Sequence, residues 1–360
     1  MKLTVRRSLI PRVQVRRWRE AKSARPVPTA SEPILPYIGL RAAELALRTV
    51  DRKVAYRLAG PLAAVLVVCW PSHWQGLRAN LQVVRPDLGR REMRKLLRQN
   101  VRNFLKAWID LLQMSHRPLE SWQGLITVED GHFLDQAQEG GKGLIIVSLH
   151  LGAWEAAIAA LRGHFAYPGG GLALLAEQVR PIRCFNWLVR ARTRVGCQVI
   201  PLNVDAVRRH DQEAVSRSGA AAVRQIYRIL SRNGVVVMAI DRDLLGTGEP
   251  LPFCGHRASI PLGAVEIAAR TGATILPVSL LRQPNDTYVA RGFAPVRIPL
   301  GDDDAHQNFR RGARQLLRVL EPTLRANADQ WHVLSPLFGE PMADLEPLAP
   351  ASAVTGAAST

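Results

Sequence analysis

The stretch His150-Leu-Gly-Ala-Trp-Glu155 sets an imidazole and a carboxylate between an apolar run, Gly143-Leu-Ile-Ile-Val-Ser148, and a helical one, Ala156-Ala-Ile-Ala-Ala-Leu161. Histidine changes charge near neutral pH and can take a proton from a hydroxyl, while a neighbouring carboxylate fixes its tautomer and stabilises the imidazolium. Of the nine histidines, only His150 is followed five residues later by an acid. Gly152 lets the backbone turn at the strand end, and Glu155 falls in the first helical turn, where the helix dipole favours an ionised carboxylate. The pattern predicts a general base, His150, oriented by Glu155. The competing reading is an interfacial histidine with its hydrogen bonds satisfied, followed by a helix-capping glutamate.

Three further groups fall at comparable places. Asp241-Arg242-Asp243 follows the apolar run Val235–Ile240 and precedes the glycine-rich Gly246-Thr-Gly248. Such a pair of acids can hold a divalent metal and a sugar nucleotide, or Asp241 can brace the site without any metal. Arg180-Pro-Ile-Arg183 follows the run Leu172–Ala176, and guanidinium groups there can bind a phosphate or a developing oxyanion. Phe253-Cys-Gly255 precedes a helix starting near Pro261 and is readable as the lining of an acyl pocket or as a structural turn.

The elements that must position these residues are legible from periodicity. Short runs rich in branched residues at Gly143–Ser148, Leu172–Ala176, Gln198–Pro201, Val235–Ile240, Thr274–Leu281 and Tyr288–Phe293 alternate with helical spacing over Ile182–Val195, Ala220–Arg232 and Gly263–Thr271. That alternation predicts an α/β fold with a mostly parallel sheet flanked by helices, whose sites gather beyond the carboxyl ends of the strands. His150 and Asp241 both fall at such ends.

Upstream, the pattern is helical. The segment from Pro33 to Trp74 is apolar, with Arg57 and Gly60-Pro61 interrupting it, and its unbroken part is shorter than the ~20 residues a bilayer requires. It predicts an interfacial, membrane-associating segment, with ordinary core helices as the alternative. Arg78 to Leu112 reads as a basic amphipathic helix pair turning at Pro86-Asp-Leu-Gly89. The expected organisation is a basic disordered arm over 1–32, a helical segment over 33–120, an α/β domain over 121–340 and a disordered tail over 341–360. The first thirty residues lack the apolar stretch of a secretion signal.

With 360 residues, 47% of them hydrophobic, the chain can bury a full core. Its four cysteines are scattered and suggest neither a zinc site nor a disulfide framework, which points to a reducing compartment. A net charge of +18 favours acidic partners: anionic head groups, an acidic carrier protein, phosphates or nucleic acid. Only 6% aromatic content, with no interleaved basic and aromatic strand motif, argues against single-stranded nucleic acid.

Taken together, His150-Leu-Gly-Ala-Trp-Glu155, Arg180-Pro181, Val237-Met-Ala-Ile-Asp241, Phe253-Cys-Gly255 and Gln330-Trp331 stand in an order and spacing that resembles the bacterial late acyltransferases of lipid A biosynthesis. That family includes the acyltransferases of phosphatidylinositol mannosides. The segment Arg78-Ala-Asn-Leu-Gln-Val-Val-Arg-Pro-Asp87 is similar to the family's asparagine-leucine segment, so the likeness spans roughly 78 to 335. The resemblance implies a glycerol-3-phosphate-acyltransferase-like α/β fold at the cytoplasmic face of the inner membrane. It also implies acyl transfer from an acyl-carrier-protein or coenzyme A thioester to a hydroxyl of a glycolipid or lysolipid, without metal or organic cofactor.

By the same resemblance, His150 and Glu155 are catalytic, and Gly152, Arg180, Arg183, Asp241, Phe253 and Gly255 contribute to substrate binding. Arg180 and the amides near Gly152 are then the candidates to stabilise the oxyanion. The chain departs from the family at Ala153, Arg242 and Cys254, where asparagine, glutamine and phenylalanine are common, and in lacking a clear amino-terminal membrane helix. Two other functions compete: a metal-dependent glycosyltransferase built on Asp241 and Asp243, and a non-catalytic basic protein that binds membranes or nucleic acid.

Overall fold

Apolar side chains recurring every three or four residues between Leu35 and Met114 are met by four helices: α1 (Leu35–Thr49), α2 (Arg52–Cys69), α3 (Gln75–Val84) and α4 (Arg90–Met114). The computed structural model describes residues 32–114, 116–118, 120–164, 171–298 and 304–341. All of the expected tail but Pro341, and all of the expected basic arm but Glu32, lie outside them.

Asp51 caps α2 by accepting the amides of Lys53 and Val54 at 2.8 and 3.4 Å. Contrary to expectation, α2 runs straight through Gly60-Pro61. Pro61 lies on the exposed side of the helix, where water can satisfy the carbonyl that loses its amide partner. The bend comes instead at Trp70, where α2 and the segment starting at Pro71 meet at 101°. No single described helix is long and apolar enough to cross a membrane. On α4 the predicted division holds: Met93, Leu96, Leu97 and Val101 are buried, while Arg90, Arg91, Arg94, Lys95 and Arg98 are exposed.

Beyond α4 the chain alternates. In order follow α5 (Glu120–Gln123), β1 (Ile126–Glu129), α6 (His132–Glu139), β2 (Leu144–Ser148), α7 (Trp154–His164), β3 (Leu172–Glu177), α8 (Ile182–Arg194), β4 (Cys197–Leu202), α9 (Asp205–Arg208), α10 (Gln212–Leu230) and β5 (Val235–Ala239). Then come β6 (Glu249–Phe253), β7 (His256–Ile260), α11 (Gly263–Thr271), β8 (Thr274–Arg282), β9 (Tyr288–Gly292), α12 (Ala305–Ala326) and β10 (Phe338–Pro341). The seven-stranded sheet has the order β1-β9-β8-β2-β5-β3-β4, and its pairs are parallel except β8 with β9. The mostly parallel α/β expectation is met, with one antiparallel junction. Strands β6, β7 and β10 form a second, antiparallel sheet.

Both faces of the large sheet are covered, as buried parallel strands require. On one face Ile145, Val147, Val236 and Met238 share a core with Leu77, Leu81 and Val101 of the amino-terminal helices. On the other, Leu144, Ile146 and Val235 pack with Ile158 and Leu161 of α7.

A second union of helices and sheet is polar. Arg282 at the end of β8 donates to Asp110 of α4 at 2.5 Å, to Tyr56 of α2 at 2.6 Å and to Tyr288 of β9 at 3.0 Å, all within a buried cluster. The amino-terminal helices also carry exposed apolar side chains. Ile34, Leu35, Ile38 and Leu45 beside α1, and Val54, Leu58, Leu62, Val65, Val68 and Trp70 along α2, are all exposed.

Candidate active site

Strands β2 and β5 are parallel neighbours with Ser148 opposite Ala239. Two residues further along each strand stand His150 and Asp241, so the ladder itself delivers an imidazole and a carboxylate to one point. The ladder continues past the strands, Ile240 donating its amide to the Ser148 carbonyl at 3.1 Å. His150 Nδ1 lies 2.7 Å from Asp241 Oδ1, and the His150 main-chain amide donates to Asp241 Oδ2, also at 2.7 Å. Trp331 Nε1 donates to the same Oδ2 at 2.7 Å. The Asp241 side chain is 0% exposed and that of His150 28%, so the carboxylate is sealed while the ring reaches solvent.

Burial by itself would raise the Asp241 carboxyl. The charge of His150 and the hydrogen bonds from His150 and Trp331 outweigh it and hold the group below the ordinary aspartate value of 3.8. An ionised Asp241 requires a proton on Nδ1 of His150, which leaves Nε2 of the neutral ring as the basic nitrogen.

The expected partner of His150 is thereby corrected. Helix α7 begins at Trp154, and Glu155 leaves on its first turn toward α8. There it accepts Arg192 Nη2 at 2.7 Å and Nε at 3.4 Å, with both residues buried. Arg192 also stacks 4.5 Å from the Trp154 ring centroid. Glu155 therefore ties α7 to α8, and Asp241 is the acid that holds the imidazole.

The other expected residues fare differently. Gly152 has φ of +79°, as expected of a turn, but its amide donates to the Gln330 carbonyl at 2.7 Å, and that of Ala153 to Leu280 at 3.3 Å. Neither amide is left to bind an oxyanion. Arg180 is bonded to Glu32 and Asp205, and Arg183 is exposed on α8. Neither contacts the His150–Asp241 pair.

Phe253 and Gly255 are also not brought to the site. They belong to the hairpin joining β6 to β7, where Cys254 and Gly255 take φ of +51° and +80°. Phe253 is buried 5.7 Å from the ring of Phe338, so the structural-turn reading applies. Asp243 accepts Thr247 N at 3.1 Å, Gly248 N at 2.8 Å and Ser259 Oγ at 2.8 Å. It closes its own loop instead of converging with Asp241, which removes the geometric basis for the glycosyltransferase reading.

Two residues at the site carried no assigned role in the sequence. Trp331 stood only as part of a resemblance. His332 gave no signal: its Nδ1 lies 3.2 Å from Asn100 Oδ1, and burial, then the charges of Arg282 and His150, push its pKa down to about 3. It is a neutral imidazole beside His150.

Two cavities lie near these strand ends on opposite faces of the sheet, the first apolar and the second also lined by Asp243, Glu249 and Glu266, and neither lining includes His150 or Asp241. One, of about 50 Å3, is lined by Ser148, Leu151, Trp154 and Ile158. The other, of about 290 Å3, runs between α10 and α11, with Ala222, Ile226, Met238, Ala239 and Ile240 in its wall and Arg242 at the Asp241 end.

The family model for bacterial lipid A biosynthesis acyltransferases matches residues 34–340. A phosphatidylinositol mannoside acyltransferase of Mycobacterium tuberculosis (strain CDC 1551 / Oshkosh) is 25% identical over 186 residues, 51% of this chain and 53% of the relative. A phosphatidylinositol mannoside acyltransferase of Mycolicibacterium smegmatis is 23% identical over 257 residues, 69% of this chain and 74% of the relative. The chain thus spans about half the length of the first of these and about three quarters of the second.

Proposed function

Since the chain belongs to the bacterial lipid A biosynthesis acyltransferase family, we propose that it is a membrane-associated O-acyltransferase. It moves a fatty acyl chain from a thioester of acyl carrier protein or coenzyme A to a hydroxyl of a glycolipid or lysolipid. The carrying observation is the 2.7 Å bond between His150 Nδ1 and Asp241 Oδ1 at adjacent strand ends.

His150 Nε2 takes the proton of the acceptor hydroxyl as its oxygen attacks the thioester carbonyl. Asp241 orients the ring and balances the imidazolium. When the tetrahedral intermediate collapses, the C–S bond breaks, the new ester remains on the acceptor, and the imidazolium returns its proton to the departing thiolate. The nucleophile belongs to the substrate, so no acyl-enzyme forms. The acyl chain lies in the larger cavity, whose wall includes Ala239 and Ile240 beside Asp241.

The exposed row on α1 and α2 supports membrane attachment. Val54, Leu58, Leu62, Val65 and Val68 recur at helical spacing along one side of α2, with the cations Lys53 and Arg57 also exposed. A stripe of that kind suits the headgroup region of an anionic leaflet, and a cytoplasmic thioester donor supports a position at the cytoplasmic face of the inner membrane.

The test is acyl transfer in vitro, offering acyl carrier protein and coenzyme A donors in parallel to a phosphatidylinositol mannoside and a lysophospholipid in mixed vesicles, with products read by mass spectrometry. Transfer that depends on His150 supports the proposal, whereas no transfer from either donor to either acceptor overturns it. Leu58→Glu with Val65→Glu is expected to abolish flotation with anionic vesicles; unchanged flotation would remove the docking face.

A further inference from the structure

The segment Gln330–Trp331–His332 grips every part of the dyad. The His332 amide donates to the His150 carbonyl at 2.8 Å, and the Gln330 carbonyl accepts the Gly152 amide at 2.7 Å. Between them Trp331 forms a bridge with Leu151 and sends its indole N–H to Asp241 Oδ2.

The segment is itself fixed from behind. The Gln330 side chain accepts the Arg282 amide at 2.9 Å and donates to the Arg282 carbonyl at 3.0 Å, while Asn100 donates to the Trp331 carbonyl at 2.7 Å. The Trp331 ring is 0% exposed, so its N–H is held where it is.

The three hydrogen bonds on Asp241 divide the labour. Oδ1 meets the catalytic ring, and Oδ2 meets a main-chain amide and the indole. A carboxylate with only the first two bonds could swing about the axis they define. The third, from a fully buried ring, removes that freedom. We propose that Trp331 is a positioning residue for acyl transfer, its indole N–H fixing the Asp241 carboxylate so that Oδ1 stays on His150 Nδ1. This rests on the His150 and Asp241 chemistry proposed above.

Trp331→Phe is expected to lower kcat about 10- to 100-fold, the loss of one hydrogen bond to a charged group, with KM within about twofold of wild type. Replacing the indole by benzothienylalanine, which keeps the ring volume and lacks the N–H, separates this effect from a packing defect and is expected to reproduce the loss. In the Asp241→Asn background Trp331→Phe is expected to add nothing further, because it acts through that carboxylate. Full multiplication of the two losses, or a rise in KM at unchanged kcat, would overturn the assignment.

A second readout does not require turnover. With 15N-labelled histidine, the His150 ring is expected to hold the Nδ1–H tautomer in the wild type and to lose part of that population in the benzothienylalanine protein. An unchanged tautomer population refutes the role of Trp331 even if the acyl-transfer reading itself fails.

Discussion

Asp241 and Asp110 are both completely buried carboxylates that accept three hydrogen bonds, yet they sit in opposite electrostatic situations. Asp110 faces a permanent cation: Arg282 at 2.5 Å, with the phenols of Tyr288, at 2.7 Å, and Tyr56 completing its shell. Burial by itself would lower the Arg282 pKa, but Asp110 and the phenols raise it, while burial and Asp110 together push both phenols up. Arg282 and the two phenols keep their protons, so the cluster is a rivet between α2, α4 and the β8–β9 pair. Asp241 has no permanent cation among its hydrogen-bond partners. Its counter-charge appears only when His150 accepts a proton. A buried acid matched with a guanidinium gives structure, and one matched with an imidazole is poised for chemistry.

The sharpest way to break this contrast is to remove the titratable member. His150→Ala is expected to cost about 10² to 10⁴ in kcat, the usual share of a general base, while its unfolding transition stays close to wild type. Full turnover in that variant would sink the mechanism. The reciprocal substitution, Asp110→Asn, leaves Arg282 buried without its partner and is expected to cost about 3–5 kcal/mol of stability. Chemical denaturation measures that loss, and the rate per folded molecule should change little.

Glu155 supplies an intermediate case, an acid near the site but paired with the guanidinium of Arg192. If the comparison is right, Glu155→Gln behaves like a change at Asp110, losing about 1–3 kcal/mol of stability with kcat reduced less than about threefold. A kcat loss as large as that of Asp241→Asn would return Glu155 to the catalytic pair.

A last contrast is a pH slope. His332 has a folded pKa of about 3 against an ordinary 6.5, so below pH 6.5 the unfolded chain binds a proton that the folded chain refuses. Stability is therefore lost as pH falls from about 6.5 toward about 3. Asp241 has the same sign in a lower window: its contribution is present above 3.8 and is lost as pH falls through its depressed folded value. His332→Gln should flatten the upper window alone, as read by urea midpoints across that range.

Most strands of the large sheet are legible because each carries its own signal. Branched apolar runs announced β2, β3, β4, β5, β8 and β9 within a residue or two, and α11 was read at its observed bounds. What escapes includes the long helix α12 (Ala305–Ala326) and the first eight residues of α10, as well as shorter pieces. β1 is only Ile126-Thr-Val-Glu129, and β6 contains Pro250 and Pro252, which read as loop and are tolerated because β6 is at the edge of its sheet. At the site, His150 was visible as a base at a strand end. Asp241 is visible too, but it ranks behind Glu155, which is near in sequence and pairs with Arg192 instead of the ring.

The amino-acid sequence by itself determined the strands, the helices, and the placement of one imidazole and two acids at strand or helix ends, since those follow from periodicity and turn chemistry within a few residues. Only the tertiary structure decided which acid meets the ring. That choice rests on β2 lying beside β5 with Ser148 opposite Ala239. Strand order is set by how the helices cover both faces of the sheet, a long-range packing result that local spacing does not encode, and a hydrogen bond responds to distance in space alone.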